Sequence, residues 1–322
     1  MRIQKPVLFV IVLLLASAAS AQQRITSKEF LKHERFLAAD GLEGRFPGTA
    51  GNKQAAAYIS KQFKHLHLKK WKGTYYQPFM FLVKPNVNSA PPDSVETNNI
   101  VGYFEGSDPV LKNEYIIIGA HYDHLGWGGK GTGSKKPDTV AIHNGADDNA
   151  SGVSALLTIA KEIARQKHGF KRSIIFIAFS GEEEGLLGSK YFVSHLPVAD
   201  SAVKLMINMD MVGRLNSEKQ LYMGGAGTFP GGVELMKKLG EGSGLNPIVH
   251  AGSVGGSDHV SFYKKNISVI GLHTGGHPQY HTPEDDINLI NKEGAELVCK
   301  YICTALLQIA NYDERIYFIK QD

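Results

Sequence analysis

The chain has 322 residues, 43% of them hydrophobic, and carries 35 basic against 31 acidic side chains for a formal charge of +4. That length and apolar content suit one large α/β core or two small ones and exclude a disordered chain. The near balance of charge argues against nucleic acid or an anionic membrane as partner, and loss of Arg2 and Lys5 with a leader would bring the balance to about +2.

Taken in chain order, residues 1–21 read as a secretory signal peptide. Basic MRIQK precedes the apolar PVLFVIVLLLASA, and Ala19-Ser20-Ala21 forms an A-x-A cleavage site before Gln22. The run is too short to cross about 30 Å of hydrocarbon, no comparable run follows, and no cysteine near the cleavage site could take a lipid. The expectation is an exported, soluble domain over 22–322, periplasmic or secreted, with no integral membrane segment. "SKEFLKHERFLAADGLEGR" and "GNKQAAAYISKQFKHLHL" repeat apolar residues at helical spacing around the breaker-rich "GRFPGTAG". A polar stretch, "KPNVNSAPPDSVETNN", leads to the strand "NIVGYF". Four apolar, β-rich runs follow: "EYIIIGAHYD", "RSIIFIAFSGEEEG", "AVKLMINMDMVG" and "ISVIGLHTGG". Helices are expected at "ASGVSALLTIAKEIARQ", "GLLGSKYFVSHL", "GGVELMKKLGEG" and the closing "KEGAELVCKYICTALLQIANY".

Strands alternating with helices predict a three-layer α/β/α fold around a central mixed, largely parallel sheet. Ligands of such sheets bind beyond the carboxyl ends of the strands. Each of the four runs ends in ionisable residues: His121 and Asp123, Glu182 to Glu184, Asp210, and a loop leading to His281. The only cysteines, Cys299 and Cys303, share one face of the last helix at a spacing poor for a disulfide, and read as buried thiols.

Each polar feature has a plain structural reading as well. His121 and Asp123, two apart on a strand end, point to one side; the carboxylate can orient a metal-ligating imidazole, or the pair can be a satisfied structural histidine. "GEEEG" can be a solvated turn. Asp210 is harder to explain, because "LMINMDMVG" surrounds a carboxylate with core residues, and a buried acid demands a cation or a hydrogen-bond network. The adjacent acids of "HNGADDNASG" pose the same demand.

In order and spacing, "GLEGRFPGTAGNKQAAAYI", "IIIGAHYDHLG", "NGADDNASG", "GEEEGLLGS", "NMDMVG", "SDHVSF" and "HTPEDD" resemble the co-catalytic di-zinc exopeptidases, a family that includes secreted bacterial leucine aminopeptidases and aminopeptidase Y and, more distantly, glutamate carboxypeptidase. The resemblance implies the zinc-exopeptidase (phosphorylase/hydrolase-like) fold and two zinc ions per chain. It would place Asp147 between the ions, His121 and Asp210 on one, and Glu183 and His281 on the other. It further implies a cis peptide between Asp147 and Asp148, Asp123 orienting His121, Asp258 in support, and Glu182 as the general base that deprotonates the attacking water. Tyr280 would either bond the oxyanion or pack. The charges agree, since Asp147, Glu183, Asp210 and a hydroxide balance two divalent cations. Oxygen and nitrogen donors without cysteine suit a catalytic zinc site, and also fit manganese or cobalt. The implied substrates are peptides with a free α-amine, and the stretch from Lys84 to Asn99 leaves no room for the protease-associated insert of longer relatives.

Two rival enzymes share this fold: glutaminyl cyclase, which uses one zinc, and zinc carboxypeptidase, which needs a basic pocket for the substrate carboxylate. A catalytically dead binding relative predicts a missing ligand or base, and none is missing. No G-x-S-x-G elbow or H-E-x-x-H helix occurs, and adjacent Ser257, Asp258 and His259 cannot converge as a triad.

Overall fold

The computed structural model describes residues 24–82, 94–166 and 169–321, so the expected leader at 1–21 lies outside the described residues. Thr26 caps helix α1 (Ser27–Leu37) by accepting the Glu29 N–H, and Thr49 caps α2 (Ala50–His65) through the Asn52 N–H. The start of α2 packs onto the preceding turn so closely that a Cβ on Gly51 would lie 1.8 Å from the Leu42 carbonyl oxygen, an approach open only to glycine. Strands β1 (Lys69–Lys70), β2 (Tyr76–Phe81) and β3 (Val95–Phe104) follow. The polar stretch was expected to end where the strand began, at Asn99, yet β3 already starts at Val95. Two of its polar residues are buried as hydrogen-bonding partners: Thr97 Oγ1 lies 2.8 Å from Ser180 Oγ, and Asn99 Nδ2 donates to the Gly188 carbonyl at 2.9 Å.

The remaining elements are β4 (Tyr115–His121), α3 (Gly152–Arg165), β5 (Ser173–Phe179), α4 (Leu187–Ser194), β6 (Val203–Met209), β7 (Gln220–Gly224), α5 (Gly232–Gly240), β8 (Asn246–Val249), α6 (His259–Tyr263), β9 (Ser268–His273) and α7 (Lys292–Asn311), alternating except that β6 runs on to β7 without a helix. The sheet order is β1-β3-β5-β4-β6-β9-β7-β8, with β2 also paired to β3. Strands β5, β4, β6 and β9 form a parallel centre, flanked by antiparallel pairings of β3 with β5 and of β7 with β9. Sequence periodicity had not singled out β1, β2, β7 or β8.

The layers follow from strand alternation. On β4, Ile116 and Ile118 enter one core while Ile117 enters the other; on β5, Ile174, Phe176 and Ala178 separate in the same way from Ile175, Ile177 and Phe179. The first core is closed by α1, α2, α3 and α7, the second by α4 and α6. Each such fully buried branched or aromatic side chain stabilises the fold by about 1.5–3 kcal/mol relative to exposure. Cys299 and Cys303 are buried free thiols on α7. Among the described residues no helix is long and apolar enough to cross a membrane.

Candidate metal centre

The carboxyl ends of the parallel strands deliver the ionisable residues to one place. His121 ends β4, Glu182 and Glu183 follow β5, Asp210 follows β6, and the loop after β9 brings His281. The turn entering α3 adds the paired aspartates. Its N–H of Ala150 bonds the Gly145 carbonyl five residues back, a wider turn than an α-helix makes. Asn149 fastens that turn to the exit of β6, donating to the Met209 carbonyl at 2.9 Å and accepting the Met211 N–H at 3.2 Å.

Two sets of nitrogen and oxygen atoms meet at Asp148. Its Oδ1 lies 3.4 Å from His121 Nε2, which is 3.5 Å from Asp210 Oδ1. Its Oδ2 lies 3.1 Å from His281 Nε2, which is 3.2 Å from Glu183 Oε2. Four ligands at the ~2.0–2.1 Å bond lengths of zinc stand about 3.3 Å from one another in a tetrahedron, so both spacings suit such an ion. His121 Nε2 and Asp210 Oδ1 are buried with no hydrogen-bond partner, a state that a cation would relieve. The imidazoles are turned for it: His281 Nδ1 lies 3.1 Å from the Gly133 carbonyl, and His121 Nδ1 lies 3.2 Å from the Asp123 carbonyl, each leaving Nε2 to face the carboxylates.

The electrostatics make the same demand for positive charge. Burial alone would lower the pKa of His281, but its bonds to Asp148 and Glu183 raise it to about 10. Burial would raise Asp148, but His121 and His281 hold it well below the usual carboxylate range. Glu182 is pushed well above that range, by burial and then by Asp210, Asp258 and Glu183, with His121 opposing. Such a carboxyl can both accept and return a proton.

One sequence expectation is corrected. Asp148, not Asp147, stands between the two histidines. Asp147 turns away: Oδ1 accepts the Gly213 N–H at 2.7 Å, and Oδ2 lies 3.2 Å from His277 Nε2. The cis peptide is likewise one residue further on, at Asp148–Asn149. The backbone N–H groups of Asp147 and Asp148 both donate to Asp285, while their side chains point to different partners.

The other expected residues take these places. Asp123 accepts the N–H groups of Glu182 at 3.2 Å and Glu183 at 3.3 Å, and its carboxylate lies 3.8 Å from His121 Nδ1. Asp258 is fully buried, and burial raises its pKa to about 7; it is not among the converging atoms. Tyr280 stacks on the His281 ring with centroids 3.8 Å apart. Three contributors had escaped the sequence reading. His124 Nδ1 lies 2.7 Å from Glu183 Oε1 and forms with Asp148 and Glu183 a group whose ligand atoms could hold a metal ion; Asp285 holds the turn; Asn149 fastens it. The only hint was that His124 closes "HYDH" and Asp285 opens the aspartate pair of "PEDD".

The centre forms one wall of a cavity of about 520 Å³ that also reaches Tyr222, His250, His259 and the glycines 255–256. The family model described as Peptidase family M28 matches residues 99–306. The chain belongs to peptidase family M28. The M28 match runs from β3 into α7 and so includes every residue that meets Asp148. Aminopeptidase YwaD of Bacillus subtilis (strain 168) is 31% identical over 234 residues, 70% of this chain and 47% of that protein. The chain spans about half the length of the curated relatives it matches. Among solved structures, the zinc aminopeptidase BSAP from Bacillus subtilis matches this M28 chain with a TM-score of 0.71 at 17% identity, covering 93% of this chain and 99% of that one. The glutaminyl cyclase of Porphyromonas gingivalis matches with a TM-score of 0.69 at 19% identity, covering 88% and 98%. These two likenesses are of fold.

Proposed function

We propose that this M28 chain is a zinc-dependent aminopeptidase that hydrolyses the N-terminal bond of peptides with a free α-amine. The observation that carries the reading is the pair of nitrogen and oxygen sets sharing Asp148, 3.1 to 3.5 Å apart, in the wall of one cavity. His121 and Asp210 would hold one ion, Glu183 and His281 the other, with Asp148 reaching both; manganese or cobalt fit the same donors. Bound there, zinc supplies Lewis-acid polarisation of the scissile carbonyl and lowers the pKa of water toward neutrality. Glu182 takes the proton from the attacking water onto its carboxylate and returns it to the departing amine nitrogen. Tyr280, which lines the cavity beside His281, would donate its hydroxyl hydrogen to the carbonyl oxygen as charge develops there. Asp148, Glu183 and Asp210 would be balanced by the ions, so the choice of the amine end is supported by the relatives named as aminopeptidases and not by the acids of the cavity wall. The basic-apolar pattern of residues 1–21 with its A-x-A site supports export, and residues 22–322 serve as one catalytic domain.

Because the cyclase fold is as similar as the peptidase fold, the test must separate the two chemistries. Unblocked and N-acylated aminoacyl chromogenic amides, and a glutaminyl peptide, are assayed with zinc and with chelator. Cleavage restricted to unblocked substrates and abolished by chelator is expected. Cyclisation of the glutaminyl peptide without cleavage, or equal cleavage of blocked substrates, would overturn the reading.

A further inference from the structure

Apart from its histidines, Lys135 is the one cationic side chain among the described residues that line the cavity. It belongs to the glycine-rich loop "GWGGKGTGSKK" between β4 and α3, and that loop is tied to the metal centre by its main chain. The Lys135 N–H donates to the His281 carbonyl at 2.9 Å, and the Gly133 carbonyl meets His281 Nδ1 at 3.1 Å. The segment that turns His281 toward Asp148 therefore also sets the position of Lys135.

The ammonium is held without being neutralised. Lys135 Nζ sits 4.3 Å from the centroid of the Tyr280 ring, which is itself stacked at 3.8 Å on His281. Its neighbours Lys130 and Lys136 pair with Asp138 and Glu284, whereas the ion pairs of the described residues include none for Lys135. An extended peptide advances about 3.3–3.6 Å per residue. Steps of 3.8 Å from the His281 ring to the Tyr280 ring and 4.3 Å from there to the ammonium keep Lys135 Nζ within about two residue lengths of the His281 ring.

We propose that Lys135 recognises the free C-terminal carboxylate of short substrates, so that di- and tripeptides with an unblocked C-terminus are preferred over amidated or longer ones. The inference rests on the aminopeptidase reading of the same site. It names a substrate class that recognition of the amine end alone would not select, since every unblocked peptide offers that end.

The test compares kcat/KM for a dipeptide, a tripeptide, their C-terminal amides and a pentapeptide, using the zinc-loaded full chain as wild type, Lys135→Met and Lys135→Arg. Each free acid should exceed its amide by about fivefold in the wild type, the scale of a part-exposed ion pair, chiefly through KM. That ratio should fall toward one in Lys135→Met, persist in Lys135→Arg and shrink in high salt. The zinc content of each variant is measured alongside, so that a lost ratio is read only on loaded protein. A wild-type ratio near one, or a ratio that survives Lys135→Met, would overturn the proposal. So would an amidated dipeptide with a C-terminal glutamate that matches the free acids, because the side-chain carboxylate would then be the recognised group. Absence of hydrolysis of every unblocked peptide is a different result and would remove the aminopeptidase reading together with this one.

Discussion

Asp285 Oδ2 accepts the backbone N–H of Asp148 at 3.0 Å and, at the same distance, the N–H of Asp147. Its own carbonyl accepts the Ala146 N–H at 3.1 Å, so one buried residue holds three consecutive amides of the turn that presents Asp148. Asp285→Ala leaves two buried N–H groups without an acceptor, at about 1–3 kcal/mol each. Through the displaced turn, zinc affinity should fall by about tenfold or more. Asp285→Asn keeps one carbonyl acceptor and should lose less. Zinc titration against a competing chelator, with melting followed in zinc and in chelator, checks both; wild-type affinity in a folded Asp285→Ala would show that the turn holds itself.

The two neighbouring aspartates should behave differently when each is made neutral. In Asp148→Asn, one oxygen that faces a histidine becomes an amide NH₂, and bound zinc should drop below the wild-type content with activity lost. Asp147→Asn can still accept the Gly213 N–H through its carbonyl oxygen and should retain both metal content and a large part of the activity. Elemental analysis of the dialysed proteins decides it. Equal metal loss in both would mean that Asp147 also acts on the ions.

The fold was legible because alternation of two cores is written into β4 and β5, and because His121 ends β4, Asp210 directly follows β6 and Glu182 comes three residues after β5. The missed start of β3 and the missed marginal strands have reasons of their own. Thr97 and Asn99 are polar but buried in β3 through hydrogen bonds, and β7 and β8 are short runs at the antiparallel margin. Within the site, His121, Glu183, Asp210 and His281 stood out by chemistry and position. The choice between Asp147 and Asp148 did not, because side-chain direction is predictable from spacing in strands and helices, not in a wide turn held from outside by Asp285. His124 was hidden for a similar reason: it lies past the end of β4, where strand alternation no longer says which side it faces.

Glu182 is set apart from its neighbour Glu183 by what surrounds it, since Glu183 is engaged by His124 and His281 and held below its ordinary pKa, whereas Glu182 is raised by burial and by the acids around it. Glu182→Gln keeps the shape and removes the proton acceptor. We expect metal content to be unchanged and kcat to fall by about 10²–10⁴-fold. Full turnover in a variant that still carries its zinc would assign the proton transfer to another group.

Far from the site, Glu29 joins α1 to α3 and gives stability a pH dependence of its own. Its Oε2 accepts Lys161 Nζ at 2.7 Å, and its Oε1 lies 3.4 Å from His33 Nε2. His33 Nδ1 lies 2.8 Å from the Tyr58 hydroxyl, which suits a neutral ring that donates through Nε2 to Glu29, and burial keeps that ring from charging. The His33 bond, followed by Lys161 and against burial, holds the Glu29 carboxyl far below its ordinary value of 4.5. A depressed carboxylate is ionised in both states above that value, where its full contribution is present. As pH falls below it, the unfolded chain takes up the proton first, and the contribution is lost. Glu29→Gln should therefore be less stable than wild type at pH 7 by about 0.5 kcal/mol, the scale of a part-exposed ion pair. The gap should close progressively below pH 4.5. Denaturant midpoints of the two proteins, taken in chelator so that metal loss does not contribute, measure it; a gap of constant size from pH 7 to pH 3 would mean that Glu29 acts by packing and not by charge.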